Sequence, residues 1–185
     1  LALAARMRNA GRILAFDTGA ERLSRLAPRA RRAGVDIVTA MRIDGPSDPR
    51  LARYRRRADV VLVDAPCSGT GTLARSAELK WRLTPQRLEA LALLQRRILV
   101  AAAGLVKPGG SLVYATCSLL HEENRAQAAW FDERGTETGA APAGRSPMAS
   151  STAFEPVLMA DWLPNGGHAS GFFVAKWRAR LPPPG

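Results

Sequence analysis

Several ingredients that define common protein classes are scarce in this chain. It has two cysteines and two histidines in 185 residues. That is too few for a disulfide framework, and no Cys-x-x-Cys pair or histidine cluster marks a metal site. No apolar run approaches the ~18 residues that a membrane-spanning helix needs. Nothing at the start resembles a cleaved signal peptide. These absences argue against a disulfide-stapled secreted domain, a structural zinc module and a helical membrane protein. No metal and no membrane partner is expected, and a reducing, cytoplasmic setting fits. What is present is a chain that is 46% hydrophobic, long enough for one domain with a real core. Lys plus Arg number 27 against 16 Asp plus Glu, a net charge of +11, and the sequence pI is near 11.2. Such a balance suits a nucleic-acid binder. The arginine habit of a GC-rich genome, which also fits the abundant alanine, explains it as well, and charge alone does not choose between them.

The chain is organised around Val60-Val-Leu-Val-Asp-Ala-Pro-Cys-Ser-Gly-Thr-Gly-Thr72. Four apolar residues, Val60 to Val63, read as a buried strand, and Asp64 places a carboxylate at its end. Ala65-Pro66-Cys67 turns the chain, and Ser68 to Thr72 reads as a flexible polar loop. Ligand crevices of open α/β sheets lie outside the carboxyl ends of the strands, so Asp64 and Cys67 form a candidate chemical pair. Gly110-Ser-Leu-Val-Tyr-Ala-Thr-Cys-Ser118 repeats the pattern. Both cysteines, Cys67 and Cys117, therefore fall just past predicted strands. One such cysteine is commonly a core residue; two at equivalent strand ends point to a shared site.

Arg12 to Asp17 reads as a short strand ending in a carboxylate, and Ala20 to Ala33 as a helix with Pro28 as a kink and Gly34 as its stop. Asp36 to Arg42 is a further strand, followed by Asp44. Leu51 to Arg57 is a basic stretch whose arginines face solvent. Lys80-Trp81-Arg82 suits contact with a base or phosphate, or wedges its loop onto the domain. Thr84 caps a helix with Pro85 at its first position, and Leu88, Leu91, Leu94, Ile98, Ala102 and Leu105 form its apolar stripe. His121 opens another helix, to about Arg134, with Glu122 and Glu123 in its first turn. Gly135 to Thr152 reads as a loop. Phe154 to Met159 and Gly171 to Trp177 read as an antiparallel pair joined through Pro164 to Gly167.

DAPCSGTG at 64–71, KWRLTP at 80–85, VYATCSLLHEEN at 113–124 and GFFVAKW at 171–177 together resemble the Fmu/Sun family of RNA (cytosine-5) methyltransferases, of the bacterial 16S rRNA type. The resemblance implies an α/β fold, a Rossmann-like class I methyltransferase sheet with helices on both faces, and S-adenosylmethionine as cofactor. It implies that Cys117 attacks the base, that Cys67 assists turnover and that Asp64 binds the edge of the ring. Asp17, Asp44 and Asp64 would line the cofactor side, Asp17 at the ribose and Asp44 at the adenine. For Asp17 a helix N-cap or turn, and for Asp44 a turn before Gly-Pro, are the alternatives. The partner implied is RNA, specifically rRNA, and the state a monomer.

Leu1 to Arg8 already reads as the middle of a helix, the one that follows the family's first strand and glycine-rich loop. The expectation is therefore that residues 1–180 form a catalytic domain lacking that strand and loop, with 181–185 a Pro-rich tail. An unpaired seam is expected between the strands ending at Asp17 and Asp64, with weak cofactor binding. The rival from another class is a non-catalytic or truncated RNA-binding module. A methyltransferase of proteins or small molecules has no use for two thiols. A Cys117–His121 hydrolase lacks a separate orienting Asn or Asp motif.

Overall fold

Short apolar runs alternate with arginine-rich segments in the first unit of the chain, Leu1–Ala52, and give it a β-α-β order. The computed structural model describes residues 1–135, 154–164 and 170–181. Helix α1 (Ala2–Arg6) leads to β1 (Ile13–Asp17), which pairs in parallel with β2 (Val38–Arg42), from Ile13 opposite Val38 to Asp17 opposite Arg42. Two short helices connect them, α2 (Ala20–Ser24) and α3 (Leu26–Arg32). The single kinked helix expected over 20–33 is thus two. The break falls at Arg25, which leaves Pro28 in the first turn of α3, where a backbone N–H has no intrahelical acceptor to lose.

The second unit, Arg53–Gly185, is built on a four-stranded sheet. Its strands are β3 (Ala58–Asp64), β4 (Val106–Thr116), β5 (Phe154–Trp162) and β6 (Phe172–Ala179), in the order β3-β4-β6-β5. β3 and β4 are parallel, and β6 runs antiparallel to both β4 and β5. The expected antiparallel pair is therefore β5 and β6. Helix α4 (Leu79–Arg82) precedes α5 (Pro85–Ala103), and α6 (Arg125–Gly135) follows β4. Thr84 caps α5 as expected: its hydroxyl oxygen accepts the Arg87 N–H at 3.2 Å. Residues 136–152 of the expected loop, most of the turn at 164–167 and the tail beyond Leu181 lie outside the described residues.

Helices α5 and α6 cover one face of this sheet. Leu99, Ala102 and Ala103 of α5 and Ala128 and Phe131 of α6 pack on Val63, Leu112, Tyr114, Phe173 and Trp177. The Phe131 ring lies 4.7 Å from that of Trp177 and 5.4 Å from that of Phe154. Each large apolar side chain buried here contributes about 1.5–3 kcal/mol. The run Val60–Val63 does not form the wholly buried strand expected of it. Successive side chains alternate across a sheet; Val61 and Val63 face the helices, while Val60 is 61% and Leu62 49% exposed. The strands ending at Asp17 and Asp64 belong to different sheets. Among the described residues, no helix is long and apolar enough to cross a membrane.

Candidate active site

Parallel pairing of β3 and β4 sets Asp64 opposite Ala115, and the Ala65 N–H donates to the Ala115 carbonyl at 2.9 Å. The two chains then leave the sheet side by side, Cys67 three residues after Asp64 and Cys117 two after Ala115. Their sulfurs stand 3.3 Å apart. Both cysteines are free and half-buried, and Asp64 is exposed at the strand end.

The segment after Cys67 is held rather than flexible. Gly69 turns it with φ +74°, a conformation that favours glycine. Gly71 then lies against the other loop. Its N–H donates to the Cys117 carbonyl at 2.9 Å, and its own carbonyl accepts the Gly171 N–H at 2.8 Å. A Cβ at Gly71 would lie 2.3 Å from the Gly171 oxygen and 2.8 Å from that of Cys117, so only glycine fits. The hydroxyls of Ser68, Thr70 and Ser118 sit within 3.1–3.2 Å of one another. The Leu119 N–H reaches the Thr70 hydroxyl at 2.9 Å, and the Leu120 N–H reaches that of Ser118 at 3.0 Å.

Glu123 closes the site from below and is fully buried. Its carboxylate accepts the Ser68 N–H at 2.9 Å, the Ser68 hydroxyl at 2.5 Å and the Gln95 amide at 3.0 Å. The same Gln95 nitrogen donates to the Pro66 carbonyl at 2.8 Å. Two acceptors facing one amide group fix which end of Gln95 carries the hydrogens. The Tyr114 hydroxyl donates to the Glu123 carbonyl at 2.7 Å, and the Asn124 amide to the Ser118 carbonyl at 2.8 Å.

Burial pushes the Cys67 thiol up to about 12. The hydrogen bond to Cys117 and the charge Cys117 would carry act in the same direction, while the N–H groups of Gly69 and Cys117 oppose them. Cys67 is therefore a neutral thiol at pH 7. Burial, then the charges of Glu123 and Cys67, also hold the Tyr114 hydroxyl well above its ordinary range. His121 is exposed, and Cys117 meets the other sulfur. Trp81 does not wedge its loop onto the domain: it is 80% exposed, with the Lys80 ammonium 4.9 Å from the centre of its ring. Among the described residues, no group of three His, Cys, Asp or Glu side chains is placed to hold a metal ion.

Asp17 and Asp44 belong to the first unit. Asp17 ends β1; its carboxylate accepts the Gly19 N–H at 2.7 Å and pairs with Arg22 at 2.5 Å, and that ion pair holds its pKa below the usual carboxylate range. The Asp44 side chain is 75% exposed and lies 3.1 Å from Arg50. Asp48, which the sequence did not single out, is its anchor: its carboxylate accepts the Asp44 N–H at 2.8 Å and pairs with Arg50. Glu123 and Gln95 were missed as well. For Gln95 a signal existed, because it falls four residues after Leu91 and four before Leu99, on the apolar stripe of α5.

Comparison with known proteins follows the same lines. A family model described as "16S rRNA methyltransferase RsmB/F" matches residues 2–178. The chain is 36% identical over 170 residues to a probable ribosomal RNA small subunit methyltransferase B of Synechocystis, covering 92% of this chain and 38% of that protein. It superposes with a TM-score of 0.70 and 30% identity on a methyltransferase homologue from Pyrococcus horikoshii, over 96% of this chain and 56% of the other. The structure of NSun6 from the same organism, with SFG, gives 0.69 and 27% over 96% and 44%. The chain thus spans roughly two fifths of the length of the curated relative it matches.

Proposed function

The chain belongs to the 16S rRNA methyltransferase RsmB/F family, and from that membership we propose that it carries the machinery for methylating C5 of a cytosine in RNA, ribosomal RNA being the substrate, through a covalent cysteine adduct. S-adenosylmethionine is the proposed cofactor. The observation that supports this most is the 3.3 Å approach of two thiols at the ends of adjacent parallel strands.

Cytosine C5 is too weak a nucleophile to take a methyl group directly. A thiolate that adds to C6 makes C5 enamine-like, and Cys117 is the residue proposed to add. Asp64 hydrogen-bonds the N3 and amine edge of the ring and favours the adduct in which N3 is protonated. The cofactor supplies an electrophilic methyl group. The carboxylates suit its nucleoside: Asp17 for the ribose hydroxyls and Asp44 for the adenine. Arg22, which covers Asp17, is an exposed arm, and a surface ion pair of this kind yields readily to a ligand.

The raised Cys67 pKa orders the two thiols. While Cys117 is a free thiolate, its charge and hydrogen bond help keep Cys67 protonated. Once Cys117 is bonded to C6 its charge is gone, and Cys67 ionises more easily. Cys67 gives its own proton to solvent and, as a thiolate, takes the C5 proton; the C–H electron pair forms the C5–C6 double bond and expels the Cys117 thiolate. The base must leave its stack to reach these groups. The exposed arginines at 53, 55, 56 and 57 and the Lys80–Trp81–Arg82 segment suit the phosphates and bases around it.

A denaturing gel of the protein incubated with ribosomal RNA and cofactor tests the assignment. Cys67→Ala is expected to accumulate a slow-migrating protein–RNA band, and Cys117→Ala to give neither band nor methylation. The reverse pattern would place the nucleophile at Cys67. If both variants stay active, covalent catalysis by these cysteines is wrong.

A further inference from the structure

A buried carboxylate is costly unless it is paired or fully hydrogen-bonded, and apolar replacements of buried ionic groups are often as stable. Packing alone therefore does not call for Glu123, which is wholly buried. What its carboxylate does is accept three donors at once, two from Ser68 and one from Gln95. Gln95 uses its second amide hydrogen on the Pro66 carbonyl. Both neighbours of Cys67 in sequence are thereby clamped. The same turn also grips the other loop: the Glu123 carbonyl accepts from Tyr114, and Asn124 bonds Thr116 at 2.6 Å and Ser118 at 2.8 Å. One turn thus fixes both segments that carry the sulfurs.

We propose that Glu123, acting with Gln95, is a positioning residue that holds Cys67 where it can resolve the covalent adduct formed at Cys117. The proposal rests on the reading of Cys67 as the resolving thiol. Glu123 touches no reacting atom. Its effect falls on adduct breakdown and spares attack and methyl transfer, because the Cys117 carbonyl keeps the Gly71 N–H and its flanking residues Thr116 and Ser118 keep Asn124.

The test is Glu123→Gln, which keeps shape but sets an amide N–H₂ against donors, and Gln95→Met, which keeps bulk and removes both hydrogen bonds. Each is compared with wild type and Cys67→Ala on ribosomal RNA with cofactor, measuring single-turnover methyl transfer, the covalent band and the melting temperature. The expected result is a band at least fivefold stronger than wild type in both variants, with methyl transfer within about threefold. Wild-type turnover in Gln95→Met or Glu123→Gln overturns the proposal. So does parallel loss of methyl transfer, band and melting temperature in both, which is the mark of a merely structural role. If one variant fails to fold, the other decides. If Cys67→Ala itself accumulates no band, the reading of Cys67 fails and takes the proposal with it; if it does and the clamp variants do not, the proposal alone fails.

Discussion

Substituting Gly71 by alanine places a methyl group where the two cysteine loops meet. The new Cβ would stand 2.3 Å from the Gly171 oxygen, 2.8 Å from that of Cys117 and 2.9 Å from the Gly171 carbonyl carbon. These are backbone atoms, so no side chain can swing away; the loops must separate. Overpacking of this kind costs about 1–3 kcal/mol. Separation also weakens the hydrogen bonds at 2.9 and 2.8 Å that Gly71 makes to Cys117 and Gly171, each worth about 1 kcal/mol. The expected loss is about 3–5 kcal/mol, a fall of about 1–2.5 M in the urea midpoint at a slope of about 2–3 kcal/mol/M. Gly104→Ala is the control. Its φ is −64° and the nearest atom to its Cβ is 3.4 Å away, so it should lie within about 0.5 kcal/mol of wild type. Urea unfolding of both variants gives the answer. A Gly71→Ala midpoint indistinguishable from that of Gly104→Ala would refute the close approach of the loops, and with it the paired-thiol geometry.

Other outcomes follow from the same structure. Removing Cys117 as alanine takes away two of the three causes that raise Cys67, so alkylation of Cys67 against pH should show its pKa below about 12, yet still raised by burial. Cys67 favours its neutral form when folded; its contribution to stability is full below its ordinary pKa of 9.0 and is lost as pH rises from 9 to about 12, which chemical unfolding at pH 8 and 10.5 would detect, with a smaller drop in Cys117→Ala. Asp48→Ala frees the Asp44 N–H and Arg50 together; titration calorimetry should show cofactor binding at least several-fold weaker, and unchanged affinity would detach Asp44 from the cofactor.

The parts of this protein that were legible in its sequence are those carried by local patterns. Strand ends were marked by apolar runs closing on Asp17, Asp64 and Cys117, and α5 by Thr84, Pro85 and a 3.6-residue stripe. Parallel neighbours β3 and β4 then brought the two thiols together. Long-range polar roles were not legible. Glu123 meets Ser68 across 55 residues and Gln95 across 28, and no periodicity encodes that. Val60 and Leu62 were misjudged because an unbroken apolar run reads the same whether one or both faces of a strand are covered. The break at Arg25 was placed at Pro28 instead, because a proline inside a pattern and one opening a new helix look alike until the helix start is known.

The thiol pair also has a consequence for how the protein must be handled. A gap of 3.3 Å is only about 1.3 Å longer than a disulfide bond of roughly 2.05 Å. Hydrogen peroxide that takes two electrons from the pair yields one sulfur–sulfur bond and two waters, and leaves neither sulfur free to add to a base. Samples kept in air should therefore lose methylating activity along with two titratable thiols, and dithiothreitol should restore both together.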